Sequence, residues 1–330
     1  MVTRPEILRV ARQGNYVRIL RFQNGGCFGW HGSNGSPGGP MIIDFHVHPG
    51  DRSFWLPRVD DFQMRYFESS GYAATLDAQG RMFPDRFCQV LAENGVDYAV
   101  CLADNAPPAT GVASNEYVAA FCAGRPSLIP FCSLNPYIDT DTPRRLRRLV
   151  TDHGICGIKL TPTYSYFRPD QHQLYACLAV AEELRIPVLA HTGSSIFPGA
   201  RIDYGDPLVH DDVTQDFPNL TLVMAHGGRG FWYDTAAWLV ERYDNLYIDL
   251  AGLPPQNLPR FFPDLEAIAH KLVFGTDWPG IPSYAQNIAA IRDLPLPEGA
   301  KAAILGGNAA RVLRSVLAAR GREAPAARGG

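Results

Sequence analysis

His46 and His48 stand one residue apart in the apolar run 41-MIIDFHVH. If that run is a β-strand, both imidazoles point to one face and form a ready pair of metal ligands. A third nitrogen and a carboxylate from elsewhere in the chain would complete a site for Zn²⁺ or another divalent cation, with one position left open for water. Such an ion lowers the pKa of its water from about 15.7 to near 7, which provides hydroxide at neutral pH. Groups that could join the pair end other apolar runs: Lys159 in GICGIKLTP, His191 in IPVLAHTG, His226 in LTLVMAHGG and Asp277 in LVFGTDWP. Asp44 leads the first run. It would share the face of the two histidines, two residues deeper, which suits a supporting role better than ligation. His153, His172, His210 and His270 fall in helical or loop stretches and read as solvated or structural.

These residues need a frame that brings distant run ends together. Eight apolar runs begin at residues 41, 97, 129, 154, 186, 220, 246 and 272, on average about 33 residues apart, the length of one strand–helix unit. The runs are continuous rather than alternating, as expected of parallel strands buried on both faces. Helix signals fill the gaps. In 141-DTPRRLRRLVTDHG, Thr142 can cap, Pro143 suits the first helical position and Gly154 stops the helix. Leu174, Leu178, Ala181 and Leu184 make an apolar stripe. Asn308 is placed to cap the last helix. Eight strands alternating with helices predict a single (β/α)8 TIM barrel over residues 41–330, whose reactive groups lie at the C-terminal strand ends. A doubly wound sheet competes less well, because no G-x-G-x-x-G follows the first strand. Strands one and two are separated by about 48 residues, including the aromatic-rich FWLPRVDDFQMRYF (54–67), expected as a lid over the barrel mouth.

D-F-H-V-H (44–48), A-H-T-G (190–193), M-A-H-G-G (224–228) and G-T-D-W-P (275–279), in that order, resemble the amidohydrolase superfamily. More narrowly, the chain is similar to the amidohydrolase-related group that includes aminocarboxymuconate semialdehyde decarboxylase. The resemblance covers about residues 41–320 and implies a metal-dependent TIM barrel. It implies His46, His48, His191 and Asp277 as metal ligands. It implies His226 as the histidine that polarises substrate or shuttles protons, and Asp277 also as acceptor of a proton from the water. Lys159 has two readings. In binuclear superfamily members a carboxylated lysine ending strand four bridges two ions. In the decarboxylase-like group one ion is usual, which leaves Lys159 as a pocket cation able to hold a substrate carboxylate. One divalent ion is expected here, Zn²⁺ first and Mn²⁺ as the alternative.

Two reactions fit. A hydrolase would direct water at an ester, lactone, amide or thioester carbonyl of a small carboxylated or aromatic substrate, with His226 stabilising the oxyanion. A non-oxidative decarboxylase of an aromatic or unsaturated acid would hold the carboxylate and protonate carbon. Hydrolysis is the leading reading. A barrel that only binds a ligand has no need of the full ligand set. Arg52, Arg58, Arg65, Arg201 and Arg229 are candidate cations for a substrate carboxylate, with Arg229 directly after His-Gly-Gly. Phe54, Trp55, Tyr66 and Phe67 in the lid, and Tyr164, Tyr166 and Phe167 after strand four, are expected at the mouth. Trp278 is expected to pack beneath the site.

A formal net charge of −3 argues against nucleic acid as partner. No apolar run reaches the 18 or so residues a bilayer requires. The expected partner is therefore a small-molecule substrate, with a homodimer possible by analogy with relatives. The seven cysteines are scattered and none forms C-x-x-C, which points to reduced thiols in a cytoplasmic protein. Residues 1–40 carry five arginines against one acid and end in a glycine-rich stretch. They read as a disordered leader, or as the product of a start assigned too early, with Met41 as the first residue. His31, within it, is given no role.

Overall fold

The computed structural model describes residues 39–319. The leader expected over residues 1–40, His31 included, lies outside the described residues apart from Gly39 and Pro40. Eight parallel strands follow one another in chain order: β1 (Ile43–Val47), β2 (Tyr98–Leu102), β3 (Leu128–Ser133), β4 (Ile158–Leu160), β5 (Val188–Gly193), β6 (Leu222–Arg229), β7 (Leu246–Asp249) and β8 (Leu272–Val273). The sheet closes where the chain beyond β8 returns to β1. Phe45 N donates to Phe274 O at 2.9 Å, Asp277 N to His46 O at 2.9 Å and His48 N to Trp278 O at 2.8 Å. This is the (β/α)8 TIM barrel that the strand rhythm predicts, and all eight runs are strands.

Alternation along the strands sorts the core. Ile43, Phe45, Val100, Leu102, Ile129, Phe131, Leu189, Val223 and Val273 form one buried cluster, against which Ala309, Val312, Leu313 and Val316 of the terminal helices pack. Their neighbours Ala99, Cys101, Leu128, Ile158, Val188, Ala190, Leu222, Met224 and Leu272 belong to a second cluster together with the surrounding helices. Extending the inward rows by one step toward the C-terminal ends gives Asp104, His191 and Asp249, with Lys159 on the neighbouring strand. Cys101, Cys132 and Cys156 are buried, as their apolar surroundings predict.

Local readings need three corrections. The helix Thr142–His153 is capped by Asp141, whose carboxylate accepts from Arg144 N, rather than by Thr142. Asn308 caps nothing: a π-turn, Ala303–Gly307, continues into the next helix, and the buried Asn308 amide instead donates to Ala269 O and Leu272 O. Asp44 does not share the face of His46 and His48. The register of β1 slips between Asp44 and Val47, and the Asp44 carboxylate turns to Thr276, accepting from its backbone N at 2.9 Å and its hydroxyl at 2.6 Å.

The insertion after β1 holds a 3-10 turn (Arg52–Phe54) and helices at Pro57–Met64, Tyr72–Thr75 and Pro84–Glu93. It is pinned to a hairpin of Asp104–Ala106 against Gly111–Ala113 that leaves the end of β2. Leu56 N donates to Thr110 O at 2.9 Å, and Trp55 bridges Gly111. A side chain at Gly111 would collide with Phe54 O, so glycine is required where the two segments touch. Among the described residues no helix is long and apolar enough to cross a membrane.

Candidate metal centre and substrate cavity

Three ligand atoms converge at the C-terminal mouth of the barrel. His46, His48 and Asp277 each offer one, all within 4.8 Å of one another. The two Nε2 atoms are 3.1 Å apart, and Asp277 Oδ1 lies 3.4 Å from that of His46 and 3.3 Å from that of His48. The Asp277 backbone is left-handed, with φ 73°. A non-glycine residue adopts that conformation only where the surroundings impose it, as at a ligand clamp.

His46 is fully buried, and its Nδ1 is 2.5 Å from Asp249 Oδ2. The carboxylate fixes the proton on Nδ1 and leaves the Nε2 lone pair for a ligand, the arrangement metal-binding histidines usually require. No sequence motif singles out Asp249. It ends β7 in LYID, and the inward step from Tyr247 leads to it. Room for its carboxylate depends on Gly275, where a Cβ would collide with Asp249 Oδ1.

Lys159 is buried, and its Nζ donates to His46 Nε2 at 3.0 Å. Burial lowers its pKa to about 8, against the pull of Asp277, Asp249 and Asp104. Burial also drives His46, His191 and His226 well below the usual imidazole range, so all three are neutral near pH 7. Asp277 shifts the other way. Burial pushes it up, but the His48 hydrogen bond and the neighbouring imidazoles outweigh that and hold it well below the usual carboxylate range.

His191 stands outside the converging trio. Its ring lies 4.6 Å from that of His226 and 4.7 Å from that of Tyr164, and among the described residues its buried Nε2 has no hydrogen-bond partner. An orphaned imidazole nitrogen beside three convergent ligand atoms suits a fourth ligand, so the residues present fit a divalent ion. His226 reaches the mouth through a left-handed backbone, φ 65°, which breaks the alternation of β6 after the inward Val223 and Ala225. Its Nδ1 donates to Ala251 O at 2.7 Å, so the neutral ring presents Nε2 as an acceptor.

The floor opens into a cavity of about 560 Å³. Aromatic contacts run nearly around it, from Phe62 to Phe197 (5.6 Å between centroids), Tyr164 (6.4 Å) and His191, then through His226, His46 and His48 to Trp55 (6.3 Å). The lid thus supplies Trp55, Phe62, Gln63 and Tyr66 to the cavity wall, whereas Phe54 packs on Tyr117 and Phe67 on Tyr72. Tyr164 lines the wall; Tyr166 instead donates to Gly199 O, and Phe167 is buried in the core. Trp278 is buried beneath the site, where its indole donates to Ser70 O.

Of the candidate cations, Arg229 lines the cavity and is steadied by Ser194 O, which accepts from Nη2 at 3.0 Å. Gly252 opposite has no room for a Cβ, which would meet Arg229 Nη1 at 2.6 Å and Asp277 Oδ2 at 2.9 Å. Arg52 and Arg58 are engaged away from the cavity wall. Arg52 forms a two-pronged ion pair with Asp60, and Arg58 donates to Pro108 O and Ala109 O. Arg65 and Arg201 lie over the rings of Phe62 and Tyr166.

Comparison with known proteins agrees with the barrel fold. An uncharacterized TIM-barrel protein from Bordetella bronchiseptica is 27% identical, with a TM-score of 0.67 over 83% of this chain and 99% of its own. A 5-carboxyvanillate decarboxylase from Novosphingobium aromaticivorans, complexed with manganese and a nitrobenzoic acid, is 14% identical, with a TM-score of 0.58 over 83% of this chain and 96% of its own. A probable 2-pyrone-4,6-dicarboxylic acid hydrolase from Acinetobacter baumannii, with citric acid bound, is 16% identical, with a TM-score of 0.56 over 82% and 98%. No curated protein matches the chain. The family described as Amidohydrolase matches residues 43–315, nearly the whole barrel, and the chain belongs to that family.

Proposed function

We propose that this amidohydrolase is a metal-dependent hydrolase of small anionic substrates, with one divalent ion held by His46, His48, Asp277 and His191. The observation that carries the reading is the convergence of His46, His48 and Asp277 beside the cations Lys159 and Arg229 at the floor of one cavity. When bound, the ion supplies a Lewis acid that polarises a substrate oxygen and acidifies a water. Zn²⁺ suits the imidazole-rich set best; Mn²⁺, present in the decarboxylase complex, is the alternative.

The chain's own residues supply the rest. Asp277, ionised and with 28% of its side chain exposed, accepts the proton of a water that adds to an ester, lactone, amide or thioester carbonyl. Lys159 and Arg229 provide positive charge for the substrate carboxylate and for the developing oxyanion. In the tautomer fixed by Ala251 O, His226 is a proton acceptor before it can be a donor. Its role is therefore to relay a proton to the leaving group rather than to polarise the carbonyl while neutral. The rings of the lid keep bulk water away and favour a flat or partly apolar substrate.

That ring-lined wall also favours a second reading, decarboxylation of an aromatic acid, the activity of the neighbour from N. aromaticivorans. The two separate cleanly in ¹⁸O-labelled water with a panel of lactones, esters and aromatic acids. Hydrolysis puts one ¹⁸O into the product acid and releases no CO₂. Release of CO₂ without label in the remaining product overturns the hydrolase reading in favour of the decarboxylase.

A further inference from the structure

Asp104 lines the same cavity but belongs to neither the ligand set nor the proton path described above. It is 3% exposed, and among the described residues its hydrogen-bond partner is the Thr110 hydroxyl, which donates to Oδ1 at 3.0 Å. A carboxylate can accept about four hydrogen bonds, so one neutral donor leaves most of its capacity unused. Leaving a buried acceptor short is costly unless something else supplies the donor.

The carboxylate is also held firmly. Asp104 pairs with Ala113 in the short hairpin, and Thr110, in the turn that joins the two strands, reaches back to its carboxylate. Asn105 O, next along, accepts from Ser165 Oγ at 3.1 Å and from Asn135 Nδ2 at 3.4 Å. The lid hangs from the same hairpin through Leu56 and Trp55. Asp104 thus stands at the junction of lid and floor, on backbone fixed from both sides, as a recognition group requires.

We infer that Asp104 determines specificity: Oδ2 accepts a hydrogen bond from a substrate hydroxyl, so the cavity selects a hydroxylated small acid over its deoxy counterpart. The assignment rests on the proposed reading of the cavity as an anion site, in which Lys159 and Arg229 hold the acid group and Asp104 reads a donor elsewhere on the molecule. A site built to bond a hydroxyl rejects the analogue that lacks it, because its own buried group is then left unpaired.

The test is isothermal titration of the purified holoprotein with benzoate and its 2-, 3- and 4-hydroxy derivatives, ring acids matched to the aromatic wall. The wild type is expected to bind at least one hydroxybenzoate roughly 10- to 100-fold tighter than benzoate, the gain from a hydrogen bond to a charged group. Asp104→Asn keeps an oxygen for Thr110 but replaces the free acceptor by a donor. It is expected to bring the ratio of hydroxybenzoate to benzoate affinity to about 1 while Tm is unchanged. If that variant does not fold, Asp104→Ser serves with the same expectation. Equal binding of all four acids by the wild type, or a preference that survives the substitution, overturns the Asp104 assignment alone. Failure of the wild type to bind any of the four overturns the anion-site reading and Asp104 with it.

Discussion

Asp249 Oδ2 and His46 Nδ1 meet at 2.5 Å, joining β7 to β1 across 203 residues of sequence inside a fully buried pair. The contact sets the tautomer and the aim of the imidazole that stands at the centre of the ligand cluster. Asp249→Asn should therefore leave the barrel folded while weakening divalent-metal affinity about 10- to 100-fold, as loss of a ligand's outer partner typically does. Competition with a fluorescent chelator measures it. Unaltered affinity would mean that Asp249 only fills space.

Gly252 tests the packing around the cation. Its φ of 66° is positive, and a methyl group there would come within 2.6 Å of Arg229 Nη1, which leaves no place for alanine. Gly252→Ala should raise KM more than it lowers metal content, because Arg229 must move before the ligands do. A loss of metal with KM intact would show that Asp277 yields first.

His226→Asn should retain the ion and lower kcat on the order of 10²-fold or more, the usual contribution of a positioned acid–base group. The strained backbone at His226 predicts that His226→Gly recovers stability but not turnover. Steady-state kinetics with metal analysis on the same samples checks both.

His210 gives a pH dependence unconnected with the site. It is buried, neither ring nitrogen has a partner among the described residues, and burial lowers its pKa to about 4. The unfolded chain, with an ordinary imidazole near 6.5, binds more protons between those values. Stability should therefore fall as pH drops from about 6.5 to about 4, by at most about 3 kcal/mol from this residue. Chemical denaturation at several pH values should show His210→Leu flatter than wild type across that window; equal slopes would remove His210 as the cause.

Much of the site is legible in the sequence because parallel barrel strands are continuous apolar runs, and the groups at their ends mark the mouth. His46, His48, Lys159, His191, His226 and Asp277 all follow from that rule. It also reaches Asp104 and Asp249, but a carboxylate inside a strand such as LYID carries no local mark of burial and is easily passed over. Asp44 misleads for a different reason. Strict alternation puts it with the histidines, and a slip in register, which depends on the pairing with β2, takes it away. Arg52 and Arg58 show the limit for loops: only the fold reveals that Asp60 and two carbonyls already occupy them.

Metal content per chain, by plasma mass spectrometry on protein purified without chelator or added metal, tests the central claim most directly. About one divalent ion per chain is expected in the wild type, less than about one tenth in His46→Ala/His48→Ala, and parallel loss of ion and turnover on chelation. No ion in the wild type even after Zn²⁺ or Mn²⁺ is supplied, or the same content in the double variant, would contradict the proposed metal centre.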